Sequence, residues 1–313
     1  MHRHRRLPGG RDGLSGEARP ALRPVPRAQL TGTPLTLDLD VLLAANPSPL
    51  TGKGTNTYVL GRDEVAVVDP GPALPEHLDR VEAAARARGR TTVVLLTHHH
   101  PDHSEAAVEM ARRLDAPLAA IPHPLAPRLD RALAGGDQLD IGADTLEVLA
   151  TPGHCRDHAC FEWKQAMAIF VGDLVAGEGF IVIDPPEGDM ADYLNSLRLI
   201  RDRGIGTQRQ GAGPAQVLLP GHGPSIDHPT AYIETYISHR LGREAKVLAA
   251  LTEAASATPQ ALLPIAYADT PEAMYPIAAR SLQAHLDKLV KDGRVVEVGG
   301  LYSGVNPAGA TAG

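Results

Sequence analysis

The sequence predicts a layered α/β fold followed by a winged-helix-like module, and three observations carry that expectation. Short apolar strands alternate with amphipathic helices through most of the chain, the pattern of helices packed on sheets. The strands end repeatedly in His and Asp residues flanked by Gly or Pro, where open α/β sheets put their sites. Residues 243–313 read as three helices and a short hairpin, the winged-helix pattern.

In chain order, residues 36–43, 57–60 and 65–68 read as strands separated by Gly and Pro. Residues 75–88 read as a helix, with Leu78, Val81, Ala84 and Ala85 on one face. Residues 93–96 are a fully apolar strand ending at Thr97, followed by a helix at 104–114 and a short strand at 117–121. A second series of strands is expected at 145–149, 159–163, 168–171 and 180–183. A helix at 190–201, a strand at 217–219 and a helix at 230–243 complete the large domain. The Gly- and Gln-rich stretch 204–216 reads as a mobile surface loop. The last region reads as helices at 244–255, 259–268 and 276–291, then strands at 294–298 and 301–305 joined by Gly299-Gly300, a hairpin signal. Leu282, Leu286 and Leu289 have core spacing on its third helix. The divisions expected are a flexible Arg- and Pro-rich tail over 1–30, a catalytic domain over 31–242 and the module over 243–313.

Composition excludes several classes. A chain of 313 residues, 43% hydrophobic and 21% charged, is ordinary for a globular protein. No apolar run approaches the roughly 20 residues of a bilayer span, so no membrane partner is expected. Cys155 and Cys160 are the only cysteines, too few for a disulfide framework, and a reducing, cytoplasmic compartment is the simplest expectation. Net charge is −7, but residues 1–27 hold seven Arg against Asp12 and Glu17. The body is therefore acidic, and strong binding of duplex nucleic acid is not expected.

The chemistry concentrates in Thr97-His98-His99-His100-Pro101-Asp102-His103, directly after a buried strand. Imidazole and carboxylate suit divalent metals, zinc above all. Four such ligands from six residues crowd one ion, so His98 and His100 are aimed at one and Asp102 and His103 at a second. His154 in Thr151-Pro152-Gly153-His154, Asp173 in Val171-Gly172-Asp173 and His222 in Pro220-Gly221-His222-Gly223 each follow a strand and complete the set.

These residues resemble the hallmark of the metallo-β-lactamase family, Thr-His-x-His-x-Asp-His with later His, Asp and His. The resemblance implies an αββα four-layer sandwich and two Zn2+ per chain. It implies that His98, His100 and His154 hold the first ion and Asp102, His103 and His222 the second, with Asp173 bridging. Asp102 and Asp173 are then the catalytic carboxylates. Asn46-Pro47-Ser48-Pro49-Leu50, Gly54-Thr55-Asn56-Thr57-Tyr58, Gly177-Glu178-Gly179 and Tyr236-Ile237-Ser238-His239-Arg240 resemble the β-lactamase-like protein 2 branch. That branch includes a single-strand endoribonuclease, and related proteins are carrier-protein thioesterases. The implied activity is a dinuclear zinc hydrolase in which two ions about 3.5–4 Å apart bridge a water and lower its pKa to near 7. Single-stranded RNA is one substrate class; acyl thioesters, lactones or β-lactams are the alternative. Against RNA, residues 243–313 carry six Lys or Arg and seven Asp or Glu. The module is expected to pack on the large domain, shape its cleft or support a homodimer rather than read DNA.

Other residues carry weaker expectations. Asp69, in Val68-Asp69-Pro70-Gly71, either orients a ligand histidine or stabilises its turn. His99 is expected to point away from the ions and to be exposed. His158 is read as a neighbour of the ligands or of substrate, Cys155 as a bland buried thiol. His239, Arg240 and Arg243 either bind an anion at the mouth or form a solvated helix face.

Overall fold

The computed structural model describes residues 38–205 and 216–305. The tail expected over 1–30, the first residues of the first expected strand, and 206–215 of the Gly- and Gln-rich loop lie outside the described residues.

The first sheet contains β1 (Leu39–Leu43), β2 (Asn56–Leu60), β3 (Asp63–Val68), β4 (Gly89–Leu95), β5 (Leu118–Ala120) and β6 (Arg131–Ala132), paired in that order. The first three are antiparallel and the rest run parallel from β3 onward. Helices α1 (Pro75–Arg88), α2 (Pro101–Ser104) and α3 (Ala107–Leu114) accompany it. The second sheet contains β7 (Gln138–Ile141), β8 (Asp144–Ala150), β9 (Ala159–Trp163), β10 (Ala168–Gly172), β11 (Val217–Pro220) and β12 (Ile226–Asp227), with spatial order β12-β11-β10-β9-β8-β7. Helix α4 (Met190–Ile205) joins β10 to β11, and α5 (Pro229–Ala254) follows β12.

Strands β10 and β11 carry no polar side chain because both faces of their sheet are covered. Val59, Val65, Val67, Val94 and Leu96 pack outward against Leu78, Val81 and Met110 of α1 and α3. Their neighbours Tyr58, Leu60, Val68 and Leu95 point the other way, with period two, onto Val148, Phe161 and Phe170 of the second sheet. That sheet's far face, Ile169, Val171 and Leu218, is covered by Leu194 and Leu197 of α4 and Ile233 and Tyr236 of α5. The result is two sheets flanked by helices.

The C-terminal region adds α6 (Pro259–Ala266), α7 (Tyr275–Lys291), β13 (Val295–Val298) and β14 (Leu301–Gly304), the last two an antiparallel hairpin. Val247 and Leu251 of α5, Leu262 of α6, Leu282, Leu286 and Leu289 of α7, and Val295 and Tyr302 of the hairpin form its core.

Three sequence expectations are corrected. The helices read at 230–243 and 244–255 are one 26-residue helix, α5, which no proline interrupts and which carries Gly242 within it. Residues 180–183 form no strand: the carbonyls of Ile181 and Val182 accept from the side chains of Arg240 and His154 instead of from a neighbouring strand. The short strands β6, β7 and β12 were not expected, since two residues carry no usable periodicity and β7, Gln-Leu-Asp-Ile, is half polar.

His285 of α7 is fully buried, and neither ring nitrogen has a hydrogen-bond partner among the described residues. Burial, then Arg240, Arg243, His239 and Lys288, push its pKa down to about 3. An unfolded chain takes up a proton near pH 6.5 that the folded chain refuses. The contribution of His285 to stability is therefore fully present above about pH 6.5 and is lost as pH drops toward 3. His285→Leu is expected to flatten this limb, measured as the urea midpoint from pH 7 to pH 4 against wild type; an unchanged slope would remove His285 from the account.

Candidate metal centre

Each loop that builds the site leaves the C-terminal end of a strand. Strand β3 runs into Asp69, β4 into Thr97 and the His98–His103 turn, β8 toward His154, β10 into Asp173 and β11 into Gly221 and His222. The donor atoms of His98, His100 and His154 lie within 4.8 Å of one another, as do those of Asp102, His103 and His222. His98 Nε2 and His154 Nε2 stand 3.0 and 2.9 Å from His100 Nδ1. Asp173 lies between the two groups. Its Oδ2 is 3.6 Å from His154 Nε2, and its Oδ1 is 3.4 Å from His103 Nε2 and 3.3 Å from His222 Nε2. Asp102 Oδ2 is 3.4 Å from His103 Nε2 and 3.3 Å from His222 Nε2.

The far side of four of the five rings is tied down. His103 Nδ1 donates to Asp69 Oδ2 at 2.9 Å, His154 Nδ1 to Val182 O at 2.9 Å and His222 Nδ1 to Gly54 O at 3.1 Å. The Thr97 hydroxyl donates to Asp69 Oδ2, so His98 Nδ1, 3.0 Å away, is the donor to Thr97 Oγ1. Each of these bonds leaves Nε2 facing the cluster, as a metal-binding histidine requires. Asp69, at φ +50°, thus orients a ligand-type histidine while its Oδ1 also accepts from Thr97 N. His158 is buried and accepts the Asp173 backbone N–H on Nε2 at 3.1 Å, so it fixes the loop that carries Asp173.

Electrostatics divide the site in two. Burial, then the neighbouring His154, hold the His100 pKa down at about 4; burial does the same for His154, and places His98 well below the ordinary value. These rings stay neutral with lone pairs to give. On the other side, burial opposes charge on His103, but Asp102, Asp173 and Asp69 outweigh it and hold its pKa well above normal. Asp173 and Asp102 likewise raise His222 to about 10 against its burial. A proton there offsets the carboxylates as a cation would. His103 Nε2 and Asp173 Oδ1 are buried with no hydrogen-bond partner. Five imidazoles, two carboxylates and two orphaned inward-facing atoms fit divalent ions.

Some functional positions carried no sequence signal. Thr55 Oγ1 donates to Asp102 Oδ2 at 3.1 Å, and Asn56 Nδ2 holds the carbonyls of Pro220 and Gly223 on either side of His222. Both lie in a family-like motif, but hydroxyls and amides are too common to single out. His99 points away from the cluster as expected, yet it is buried rather than exposed: Nδ1 is 2.8 Å from Asp157 Oδ1, and its ring stacks on His123 at 4.2 Å. Arg240 and Arg243 are also buried, so the solvated-face reading is corrected. Arg240 donates to Ile181 O, and Arg243 pairs with Asp269. Cys155 is a buried thiol.

The cluster forms the floor of a cleft of about 560 Å3, within the range of ligand pockets. Its walls are Leu50, Phe180, Ile181 and Val182 from the large domain and Met274 and Ile277 from the winged-helix region. Asp184, Glu187 and Arg280 are the charged residues lining its walls and rim.

Comparison with known proteins agrees with this architecture. Residues 50–222 match the Metallo-beta-lactamase superfamily and residues 258–303 the Beta-lactamase associated winged helix domain. The chain belongs to the metallo-beta-lactamase superfamily and is a metal-dependent hydrolase of that class. Within it, the chain is 31% identical over 263 residues to a Beta-lactamase-like protein 2 homolog of Caenorhabditis elegans, covering 81% of this chain and 84% of that protein. It is 32% identical over 214 residues to an Atrochrysone carboxyl ACP thioesterase of Aspergillus chevalieri, covering 68% and 65% respectively. A Beta-lactamase domain protein from Burkholderia ambifaria shares the fold with a TM-score of 0.71 at 21% identity, over 86% of this chain and 91% of that one. Among the described residues no helix is long and apolar enough to cross a membrane.

Proposed function

We propose that the chain is a dinuclear zinc hydrolase of small acyl compounds, thioesters foremost. The observation that supports two ions is Asp173, whose two oxygens face the two histidine groups, so that one carboxylate reaches both. His98, His100 and His154 would hold one zinc and Asp102, His103 and His222 the other. Zinc held by these residues would supply a water acidic enough to react at neutral pH and positive charge beside the attacked carbonyl.

The chain's own groups do the positioning. Thr55 donates to Asp102 Oδ2 and so directs that carboxylate at the floor of the cleft. In thioester hydrolysis the oxygen of water forms the new acyl C–O bond and the C–S bond breaks. The proton lost by water ends on the leaving thiolate, with Asp102 placed to accept it on the way. The apolar walls favour an acyl group over a polyanion. RNA binding rests on cations along the strand, and the cleft offers Arg280 beside Asp184 and Glu187. Single-stranded RNA is the second reading, favoured by similarity to the Beta-lactamase-like protein 2 homologs, which covers 81% and 84% of this chain. The two cysteines, both buried and free, support a reducing, cytoplasmic setting.

The test is to strip the protein with chelator, reload it with zinc, count bound metal, and offer octanoyl coenzyme A and end-labelled single-stranded RNA side by side. The expected result is two zinc per chain, release of free thiol, intact RNA, and loss of thiol release on stripping. RNA cleavage with an inert thioester would move the assignment to the second reading. One zinc per chain at saturation would defeat the dinuclear site.

A further inference from the structure

We propose that the first turns of α7 are the specificity wall of the hydrolytic cleft, with Met274 and Ile277 holding an apolar acyl chain and Arg280 holding an anionic group on the leaving side. This deepens the acyl-hydrolase reading and rests on it for the identity of the reaction.

The argument starts from how α7 divides its surface. At 100° per residue, Ala278, Leu282, Leu286 and Leu289 share one stripe, and all of them enter the core of the winged-helix region. Ile277, Arg280 and Ala284 lie on the opposite stripe. Ala284 is buried in the large domain's cluster with Leu194 and Tyr236. Ile277 is half-buried and Arg280 exposed, and both line the cleft, as does Met274 one turn earlier. The start of a helix that a winged-helix protein would offer to DNA is therefore turned toward the metal donors. That helix contributes an apolar surface there that no core requires.

The facing wall is the irregular segment at 180–187. Its backbone is held by the site itself, since Val182 O accepts from His154 and Ile181 O accepts from Arg240. Phe180 and Ile181 of this segment line the same cleft as Met274 and Ile277, so the cleft carries apolar side chains beside its polar donors. Such a slot accepts a chain of methylenes, each worth about 0.8 kcal/mol when buried, and offers little to a sugar-phosphate. Arg280 is the one cation lining the cleft among the described residues. Its Nη1 makes a 3.3 Å contact with Asp184 Oδ2, and both side chains are half exposed. A partly hydrated pair of this kind holds weakly. A phosphate or carboxylate can therefore draw the guanidinium into a two-pronged bond of its own.

The test measures binding apart from turnover. Zinc-loaded wild type, Ile277→Ala, Arg280→Ala and Arg280→Lys are titrated calorimetrically with non-hydrolysable thioethers: S-octyl coenzyme A, carrying phosphates; S-octyl glutathione, carrying carboxylates; and S-octyl N-acetylcysteamine, uncharged. Wild type is expected to bind an octyl thioether at least about tenfold more tightly than its ethyl counterpart. Ile277→Ala is expected to weaken all three octyl ligands about tenfold. Arg280→Ala should weaken a charged ligand about tenfold and spare the uncharged one, with partial recovery in Arg280→Lys. Which charged ligand responds tells phosphate from carboxylate. Equal binding by all four proteins, or no preference for octyl over ethyl, would overturn the proposal. Tight, Ile277-dependent binding without thioester turnover would retain the cleft assignment and reject the reaction.

Discussion

Asp173→Asn is expected to lower thioester kcat/KM by about 10³-fold or more, the scale on which members of a catalytic unit act together. It is also expected to reduce bound zinc below two per chain. The reason is geometric. Asp173 Oδ2 faces His154 and Oδ1 faces His103 and His222, so an amide in its place offers one side a nitrogen that cannot ligate a cation. The side chain keeps its size, and the loop remains anchored by the Asp173 N–H on His158. Asp102→Asn is a graded comparison, since Asp102 touches only the His103 and His222 group. It should lose metal from one half of the site, whereas Asp173→Asn weakens both. Metal content by atomic emission, with kinetics on the same samples, separates them; two tightly held zinc ions in Asp173→Asn would remove its bridging role.

Gly221→Ala is expected to cost about 10²-fold in activity without altering a single donor atom. A Cβ there would lie 2.5 Å from His103 Cε1 and 2.7 Å from Asp173 Oδ1. Neither neighbour can yield, because His103 is fully buried and pinned by Asp69, and Asp173 is held by His158. Relief requires shifting the His222 loop, and misplacement by about 1 Å is enough for a loss of that size. Gly242→Ala is the control: nothing lies within 4 Å of its Cβ, and in the interior of α5 alanine favours the helix. Matched kinetics and melting curves of the two variants decide the point, and full activity in Gly221→Ala would show that the loops give more than the packing implies.

Much of the framework is legible in the residue pattern alone. Strands covered on both faces are rich in apolar residues, and helices covered on one face repeat them every three or four residues, so both leave local patterns. The strand expected at 180–183 is absent for a reason no local pattern contains, since the carbonyls of Ile181 and Val182 are taken by the distant side chains of Arg240 and His154. The supposed break near residue 243 failed because helix length depends on what the helix packs against. Helix α5 runs on into the second core through Val247 and Leu251.

The seven His and Asp residues stood out because imidazoles and carboxylates are rare in series at the ends of apolar strands, and their sum of charge and lone pairs has few uses besides a cation. Their partners did not stand out. Thr55, Asn56 and Thr97 lie in motifs that resemble the family, but hydroxyls, amides and the carbonyls of Gly54 and Val182 are chemically commonplace, and proximity alone gives each its task. His99, Arg240 and Arg243 misled in the opposite sense, because a charged or basic residue reads as exposed until a fold buries it with Asp157, Asp269 or a carbonyl.

The sequence by itself determined the layered fold, the winged-helix region and the set of candidate donors, since each follows from residue type and local spacing. Only the tertiary structure brings in the bonds that set the tautomers of His98, His103, His154 and His222, and the placing of Met274, Ile277 and Arg280 along the cleft. These depend on contacts between residues tens to hundreds of positions apart, such as His222 with Gly54 or Asn56 with Gly223, and only the folded chain brings such pairs within reach.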